Sequence, residues 1–420
     1  MPRVLVVATT TGYQVRSFGD AARRAGIELA LATDRCKGLD DPWHDAAIPI
    51  RFHDEWGSVD AIVRAAADRP IDGVVAVGDR PTAIAALATR ALGRPTHPIE
   101  AVRRAGNKGL TRAALTAAGL PSPWFVTATL GGDAAALARA VSYPCVLKPL
   151  ALSGSRGVIR ANDIQEFEAA FARLRRLLAQ KDVRAMRDSA LDHVIVEGYI
   201  PGAEFAVEAV LDHGILRCLA VFDKPDPLHG PYFEETIYVT PSGASEAEQR
   251  AMTEAVAAAA NSLGLWHGPV HAECRVSGDR VVVLEVAARP IGGLCARALR
   301  FIDPAGAIDS LESLLLRHAV GESLVGYERE SDASGVMMIP IPRRGRLRGV
   351  AGLEAARAVA DIDEIRITAK LDHDLIPLPE GASYLGFIFA RAATPAPVVD
   401  ALRAAHAVLE FEIDAVIPVG

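Results

Sequence analysis

The stretch GPVHAECRVSGDRVVVLEVAAR, residues 268–289, predicts two β-strands joined by a short turn at Ser277-Gly-Asp279. A three-residue loop would place Val276 opposite Arg280. Period-two alternation then puts the following residues on one face of the hairpin: His271, Glu273, Val283, Glu285, Ala287 and Arg289. A two-residue loop would separate the two glutamates, so this prediction depends on the register.

The two glutamates of the hairpin predict a metal site. Two carboxylates on an otherwise apolar strand pair repel each other and are costly to bury unpaired. Mg²⁺ removes that cost, and it is usually held by one or two carboxylates together with nucleotide phosphates. Arg289 beside them could stabilise charge that develops on a transferring group. A structural ion pair between Glu285 and Arg289 is the alternative, which the spacing does not exclude.

A lysine and a glycine-rich loop further upstream suggest a phosphate site. In KPLALSGSRG, residues 148–157, Lys148 ends an apolar strand, where its ammonium suits a phosphate. Gly154 and Gly157 have no Cβ, so backbone N–H groups of the loop can approach phosphate oxygens closely. The chain has no Walker A motif. Taken alone, the loop fits a surface hairpin at least as well.

Residues 194–204 place two carboxylates beside an apolar strand. Val194-Ile-Val runs into Glu197, and a Pro-Gly turn leads to Glu204. Adenine needs backbone hydrogen bonds beside an apolar wall, and ribose needs a carboxylate acceptor. The segment offers both, although a hairpin with two exposed glutamates remains the alternative.

The first hundred residues alternate strand-like and helix-like segments. Strands are predicted at 4–8, 27–33 and 73–77, and helices at 14–25 and 60–67. This alternation predicts a parallel, doubly wound sheet. Ligands of such sheets bind beyond the carboxyl ends of the strands, here at 9–13, 33–35 and 78–80. Ordinary connections rich in turn formers explain any one of these loops equally well.

The rest of the chain mixes helices and strands. Helices are predicted at 99–105, 108–118, 133–141, 246–263 and within 173–193, and strands at 124–127, 145–148, 193–197, 204–211 and 215–222. From about residue 334 a small α+β pattern begins, with strands near 336–340 and 385–389 and helices near 353–359 and 394–409. The fold class is therefore α/β and α+β, in three parts: 1–106, 107–320 and 334–420.

The composition excludes several classes of protein. The 420-residue chain is half hydrophobic and carries a net charge of −7, so it fits a folded protein of several domains without a nucleic-acid footprint. Its five cysteines form no C-x-x-C pair, which argues against a disulfide framework or a zinc site. No apolar run suits a membrane span or a signal peptide. We expect a cytoplasmic protein without a nucleic-acid or membrane partner.

In this order, the segments resemble the ATP-grasp superfamily of ligases. The resemblance is carried by Asn107-Lys108, Lys148 with the loop 153–157, the segment 197–204, the pair Glu273 and Glu285, and Arg289. It implies an N-terminal, Rossmann-like pre-ATP-grasp domain at 1–106 and an ATP-grasp domain at 107–320. That domain would have a glycine-loop lobe at about 120–192 and a metal-binding lobe at about 193–320.

The resemblance also implies roles for individual residues. Two lysines, the glycine loop and the segment 197–204 would bind ATP: Lys108, Lys148, Ser153, Gly154, Ser155, Gly157, Glu197, Gly198, Tyr199, Ile200 and Glu204. Glu273 and Glu285 would bind Mg²⁺, with Mn²⁺ as an alternative, and Arg289 would be the catalytic residue. The family often has Asn two residues after the second metal glutamate, where this chain has Ala287. The number of Mg²⁺ ions therefore stays open.

The segments GPVHAE, EVAARPIGG and LPEGASYLGFIFARAATP are similar to the L-amino acid ligases, or dipeptide synthases. This similarity implies an L-amino acid ligase-like C-terminal domain at 334–420. Such enzymes phosphorylate a small carboxylate to an acyl phosphate, which an amine attacks to form an amide or dipeptide, with release of ADP and phosphate. Expected substrate contacts are His229, Glu235, Gly292 and Gly293. The acid, the amine and the product stay open, and a homodimer is allowed.

Two other functions stay open at this point. The chain could be an ATP-grasp enzyme of another type, carboxylase or purine-pathway-like, although the C-terminal segment argues against it. It could also be an ATP-binding scaffold that has lost catalysis. Glu273, Glu285 and Arg289 argue against the scaffold, whereas Ala287 keeps it open.

Overall fold

The computed structural model describes residues 1–9, 13–34 and 47–415. Of the loops predicted to hold a ligand, residues 10–12 and Arg35 lie outside these ranges, as does Cys36. The other four cysteines are free thiols. Within the described ranges, no helix is both long enough and apolar enough to cross a membrane.

The N-terminal segment forms a four-stranded parallel sheet with helices around it. Its elements are β1 (Arg3–Ala8), α1 (Tyr13–Ala25), β2 (Glu28–Thr33), β3 (Ile48–Pro49), α2 (Glu55–Asp68), β4 (Gly73–Val77), α3 (Thr82–Ala91) and α4 (Ile99–Ala105). The strand order is β3-β2-β1-β4, and every pairing is parallel. Strand β1 is buried along its whole length, as a continuous apolar run in such a sheet requires. The predicted doubly wound sheet is confirmed.

The next segment carries the glycine-rich loop. Its elements are α5 (Lys108–Ala117), β5 (Phe125–Thr129), α6 (Ala134–Ala140), β6 (Cys145–Pro149), β7 (Ile159–Ala161), α7 (Ile164–Leu178), α8 (Lys181–Arg184), a 3₁₀ turn (Ser189–Asp192) and β8 (His193–Gly198). The strands form an antiparallel sheet in the order β5-β8-β6-β7. Helix α7 begins well before the predicted helix at 173–193, because the Asp163 side chain caps it by accepting from the Glu166 N–H.

The remaining chain builds an eight-stranded sheet and two small sheets. Its elements are β9 (Ala203–Asp212), β10 (Ile215–Asp223), β11 (Ile237–Thr240), α9 (Glu246–Leu263), β12 (Gly268–Ser277), β13 (Arg280–Ala287), a 3₁₀ turn (Cys295–Ala298), β14 (Arg300–Ile302), β15 (Ile308–Ser310), α10 (Leu311–Ala319), β16 (Glu328–Arg329), β17 (Ala333–Ile339), β18 (Gly345–Ala351), α11 (Leu353–Arg357), β19 (Ile362–Ile367), β20 (Asp374–Leu375), β21 (Gly386–Ala392), α12 (Pro395–Ala407) and β22 (Glu410–Asp414). The large sheet has the order β13-β12-β9-β10-β11-β17-β21-β19, and the small ones are β15-β14-β16 and β20-β18-β22.

The C-terminal strands continue the sheet that holds the predicted metal glutamates. Strand β11 pairs with β17 in antiparallel register, with Tyr238 opposite Val336. The sheet therefore runs without interruption from β13 to the C-terminal strands β21 and β19. The division at residues 320 to 334 stays a prediction, since one sheet spans both sides of it.

The hairpin of β12 and β13 differs from the prediction at its turn. Ser277 pairs with Arg280, which leaves a two-residue turn, so the predicted three-residue loop is wrong. Gly278 has φ +57°, which suits the first residue of such a turn. A β-bulge between Glu273 and Cys274 then shifts the register by one residue and places Glu273 opposite Glu285. The two glutamates therefore share one face, as predicted.

The same bulge corrects a second part of the prediction. Val283 pairs with Cys274, not with a residue of the glutamate face. Both side chains are buried in the apolar core that packs under α9. Val283 therefore lies on the opposite face from the one predicted. His271 pairs with Ala287, whereas the predicted register would have placed it opposite Glu285.

Candidate active site

A cavity of about 650 Å³ lies between the glycine-loop sheet and the eight-stranded sheet. Its walls include all but two of the residues predicted to form the site: Lys108, Lys148, Ser153, Gly154, Ser155, Glu197, Gly198, Tyr199, Ile200, Glu204, Glu235, Glu273, Glu285, Arg289, Gly292 and Gly293. Gly157 and His229 do not line it. Residues far apart in the sequence therefore meet in one cleft.

Glu197 belongs to a buried ion network that positions Lys148. The Glu197 carboxylate accepts from Arg112 Nε at 2.8 Å and from Lys148 Nζ at 2.5 Å. Burial raises the pKa of Glu197, but the two cations outweigh it and lower the pKa to about 2. The carboxylate is thus ionised, and it fixes the Lys148 ammonium at the cavity wall.

Arg112 connects this network to the β-bulge. Its guanidinium donates to the carbonyl oxygens of Val283 at 2.8 Å and Leu284 at 2.9 Å, next to the shift in register. Arg112 is fully buried, so these bonds are shielded from water. One arginine of α5 thus holds both the Lys148 partner and the backbone that brings Glu285 opposite Glu273.

Three carboxylates that line the cavity surround the buried ammonium of Lys224. Lys224 Nζ lies 2.8 Å from Glu204, 2.6 Å from Glu235 and 3.0 Å from Glu273. The Tyr238 hydroxyl also donates to Glu235 at 2.8 Å. Burial lowers the pKa of Lys224, but the three carboxylates outweigh it and raise the pKa well above its ordinary value. Lys224 is therefore a fixed positive charge among the acids.

The acids of this cluster differ in proton affinity. Burial raises the pKa of Glu235 to about 7, with Lys224 opposing and Glu273 adding to the increase. Burial also raises the pKa of Glu273, but the Lys224 charge outweighs it and holds the pKa far below the ordinary value. In this coupled pair, Glu235 is the group that exchanges a proton near neutral pH.

Glu204, which the family resemblance predicts to hold the ribose, lines the cavity and is held by two cations. It binds Lys224 through one oxygen and Arg275 Nε through the other, at 2.8 Å in each case. Arg275 also donates to the Ile200 carbonyl at 2.6 Å. The segment 197–204 is thereby fixed to β12, and its Tyr199 ring lies beneath the guanidinium groups of Arg160 and Arg275.

The chemistry of the donor set fits a magnesium ion. Glu273 and Glu285 lie directly opposite each other across the bulge, and both line the cavity. Lys108 Nζ is 3.3 Å from Glu285 and also donates to the Leu152 carbonyl at 2.8 Å. Oxygen ligands of this kind are the ones that Mg²⁺ prefers. Ala287 supplies no ligand atom.

Arg289 lines the cavity and is held by Asp79 of the N-terminal segment. Its Nε donates to Asp79 at 2.6 Å, just beyond the carboxyl end of β4. Burial raises the pKa of Asp79, but Arg289 and a hydrogen bond from Ser153 outweigh it, and the pKa is lowered. Asp79 therefore ties the N-terminal loop 78–80 to both Arg289 and the glycine-rich loop.

The glycine-rich loop is held from the C-terminal side. The Gly157 N–H donates to the Pro379 carbonyl at 2.8 Å, and Arg156 Nε donates to the Glu380 carbonyl at the same distance. The Glu380 carboxylate binds the guanidinium of Arg173 on α7. Gly157 has φ +77°, and a Cβ there would lie 2.8 Å from Pro149, so only glycine fits. Gly157 thus closes the loop without lining the cavity.

Sequence reasoning missed several cavity residues. Asp79 lies in the loop 78–80, which was predicted to hold a ligand, but the sequence indicated no role for Asp79 itself. Lys224 does not line the cavity, but it holds three carboxylates that do, and its position between Asp223 and Pro225 gives little sign of burial in the sequence. A further group comes from the C-terminal strands and loops: Met338, Lys370, His373, Tyr384 and Phe387. No motif in the sequence joins these residues to the site.

Known protein families match successive parts of the chain. The ATP-grasp N-terminal domain matches residues 19–96, the ATP-grasp domain matches residues 141–298, and the L-amino acid ligase C-terminal domain 2 matches residues 337–414. The chain belongs to the ATP-grasp superfamily. The predicted family is therefore confirmed, including the similarity of its C-terminal segment to L-amino acid ligases.

Individual relatives agree with this assignment. The Uncharacterized protein y4rH of Sinorhizobium fredii is 24% identical over 93% of this chain and 79% of its own length. Alanine–anticapsin ligase of Bacillus subtilis is 27% identical over 56% of this ATP-grasp chain and 52% of its own length. The alignment thus spans only about half of that ligase. The crystal structure of L-amino acid ligase from Bacillus licheniformis superposes with a TM-score of 0.81 at 23% identity and 99% coverage of both chains, which shows a shared fold.

Proposed function

We propose that this ATP-grasp protein is an ATP- and Mg²⁺-dependent carboxylate–amine ligase. It activates a small carboxylate, an amino acid, as an acyl phosphate and joins it to an amine, so that ADP, phosphate and an amide or dipeptide result. The observation that carries the proposal is the single cleft in which Lys108, Lys148, Glu273, Glu285 and Arg289 meet. Its phosphate-binding cations, paired carboxylates and buried guanidinium are the groups that phosphoryl transfer to a carboxylate needs.

Each residue has a defined task in this reaction. Lys148, fixed by Glu197, and Lys108 bind the phosphates, and Glu273 and Glu285 would hold Mg²⁺, which offsets phosphate charge when bound. The loop 153–157 covers the phosphates and excludes water from the acyl phosphate. Arg289, oriented by Asp79, stabilises the charge that develops on the reacting carboxylate.

Glu235 has the properties of a proton acceptor. Its pKa, raised to about 7 mainly by burial, allows it to take a proton from an incoming ammonium at neutral pH. The Tyr238 hydroxyl and Lys224 hold its carboxylate in place. Deprotonation is required because only the neutral amine can attack the acyl phosphate.

Trapping of the activated acid tests the proposal. The protein is incubated with ATP, Mg²⁺ and a panel of amino acids, with hydroxylamine to capture acyl phosphates, and both ADP and hydroxamate are measured. We expect ADP and hydroxamate in equal amounts for the correct acid. ATP binding without ADP formation for any acid would favour a scaffold protein instead, and ADP formation dependent on bicarbonate would favour a carboxylase.

A further inference from the structure

The C-terminal side of the cavity has an apolar wall. It consists of Cys295, Met338, Tyr384 and Phe387, which the structure brings together from three separate segments. Cys295 Sγ lies 3.8 Å from Met338 Sδ, and the ring centroids of Tyr384 and Phe387 are 6.2 Å apart. Cys295, Met338 and Phe387 are buried, and their side chains still border the cavity. We call these four residues the sulfur–aromatic wall.

The sulfur–aromatic wall lies next to the segment that carries Arg289. A Cβ on Gly293 would lie 3.2 Å from Phe387 and 3.7 Å from Cys295, so the backbone at Gly293 lies directly against the wall. A Cβ on Gly292 would lie 3.9 Å from Arg289 Nη1. The few residues from 289 to 293 therefore lead from the guanidinium to the wall.

The acidic cluster borders the wall from another direction. Glu235 and Glu273 line the same cavity as Cys295 and Tyr384. Glu204, Glu235 and Glu273 still outnumber the two cations that contact them, Lys224 and Arg275. The cluster therefore has room for a further positive charge.

We propose that the activated substrate is an α-amino acid with an apolar side chain, which binds against Cys295, Met338, Tyr384 and Phe387. This inference rests on the proposed ligase function. The substrate carboxylate lies at Arg289, its ammonium lies toward Glu235 and Glu273, and its side chain contacts the wall. A charged or strongly polar side chain in that position would lose its hydration against sulfur and aromatic carbon, whereas an aliphatic or aromatic one gains contact there.

Two neighbouring methionines of β17 provide a matched test. Met338 lines the cavity, whereas Met337 packs into the separate apolar core on the other face of the sheet. Both are buried, so Met338→Ala and Met337→Ala remove the same atoms from the same strand. We expect Met338→Ala to raise kcat/KM for bulky apolar amino acids relative to small ones by at least about tenfold, the scale at which pocket volume discriminates substrates. Met337→Ala should leave that ratio unchanged.

The experiment is the hydroxamate assay with alanine, leucine, methionine, phenylalanine, aspartate, lysine and serine as acids. The wild type should prefer the apolar acids by at least about tenfold in kcat/KM. Met338→Leu, which nearly conserves volume, should keep this preference and shows that the site is folded. A preference for aspartate, lysine or serine overturns the inference, as does an equal change in both alanine variants.

Failure of the proposed function gives a different result. If no acid yields hydroxamate, the ligase reaction is wrong, and binding of the same amino acids then decides the inference. Thermal shifts in the presence of Mg²⁺ and a non-hydrolysable ATP analogue measure that binding. Stronger stabilisation by leucine and phenylalanine than by aspartate supports the wall as a binding site, and the reverse order refutes it.

Discussion

At the scale of single residues, two buried ion networks differ in their composition and in their role. In the first network, Arg112 and Lys148 share the Glu197 carboxylate, and the hydrogen bonds of Arg112 reach the bulge carbonyls. In the second network, Lys224 contacts three carboxylates and Arg275 contacts one of them, so two cations face three acids. The first network supports the site, and the second supplies groups that titrate or bind cations.

Arg289 is the residue whose removal should separate binding from chemistry. Arg289→Ala takes away a buried cation at the reacting centre, and we expect kcat to fall by about 10²-fold or more. The affinity for ATP should change little, since Lys108 and Lys148 remain. Initial rates of ADP formation and calorimetric titration with ATP measure the two effects.

Arg297 is the matched control for this substitution. It lies in the same segment but binds Glu364 and does not line the cavity. Arg297→Ala should therefore retain turnover. Parental activity in Arg289→Ala would contradict the role assigned to Arg289.

At the scale of elements, the β12–β13 hairpin shows what the sequence can predict. Two apolar runs around a Ser-Gly-Asp turn identified both strands correctly. The turn was assigned one residue too many, and the bulge that compensates was not predicted. A bulge is stabilised by tertiary contacts, here the two bonds from Arg112 to Val283 and Leu284, and local patterning does not contain them.

The segment 377–381, which we call the C-terminal latch, holds the glycine-rich loop through hydrogen bonds. Its carbonyls accept from Arg156 and Gly157, and its Glu380 binds Arg173. Glu380→Gln removes a partly exposed ion pair, worth about 1 kcal/mol at most, so we expect the loop to open more often. KM for ATP should rise about three- to fivefold, and more ADP should form per amide because water reaches the acyl phosphate. Coupled ADP and amide assays measure both quantities.

Asp182 provides the control for the latch. It pairs with Arg156 inside the glycine-loop segment and makes no bond to the C-terminal latch in the described contacts. Asp182→Asn should leave KM and coupling unchanged. An unchanged KM together with unchanged coupling in Glu380→Gln would show that the latch does not control the loop.

At the scale of the whole molecule, the order of motifs predicted the fold and most of the cavity. Motifs such as Lys148 with its loop are short and local, so they are visible in the sequence. The sulfur–aromatic wall is different, since Met338 and Phe387 enter the site only because β17 and β21 extend the central sheet past β11. Apolar residues in strands look like core residues whether they face a cavity or a helix.

His97 joins the N-terminal segment to the central sheet and should make the fold sensitive to acid. Its Nδ1 accepts from the Trp266 N–H at 3.0 Å, and its Nε2 donates to the Pro269 carbonyl at 3.2 Å, so the ring is neutral. Burial lowers its pKa to about 4, and His318 adds to the decrease. In the unfolded chain, this histidine gains a proton near pH 6.5, whereas in the folded chain it stays neutral until about pH 4. Stability is therefore complete above pH 6.5 and is lost as the pH falls through this window, by about 1.4 kcal/mol per pH unit for one such group.

Urea unfolding at pH 7 and pH 5 tests this dependence. The wild type should lose free energy of unfolding between the two values. His97→Gln should be less stable at pH 7, because a bond to Trp266 or Pro269 is weakened, but should lose less on acidification. His53→Gln, at an exposed position on the N-terminal segment, should follow the wild type. Equal pH dependence in all three proteins would mean that a group other than His97 causes the acid sensitivity. His267 would then be the next group to test, because burial lowers its pKa to about 4 as well.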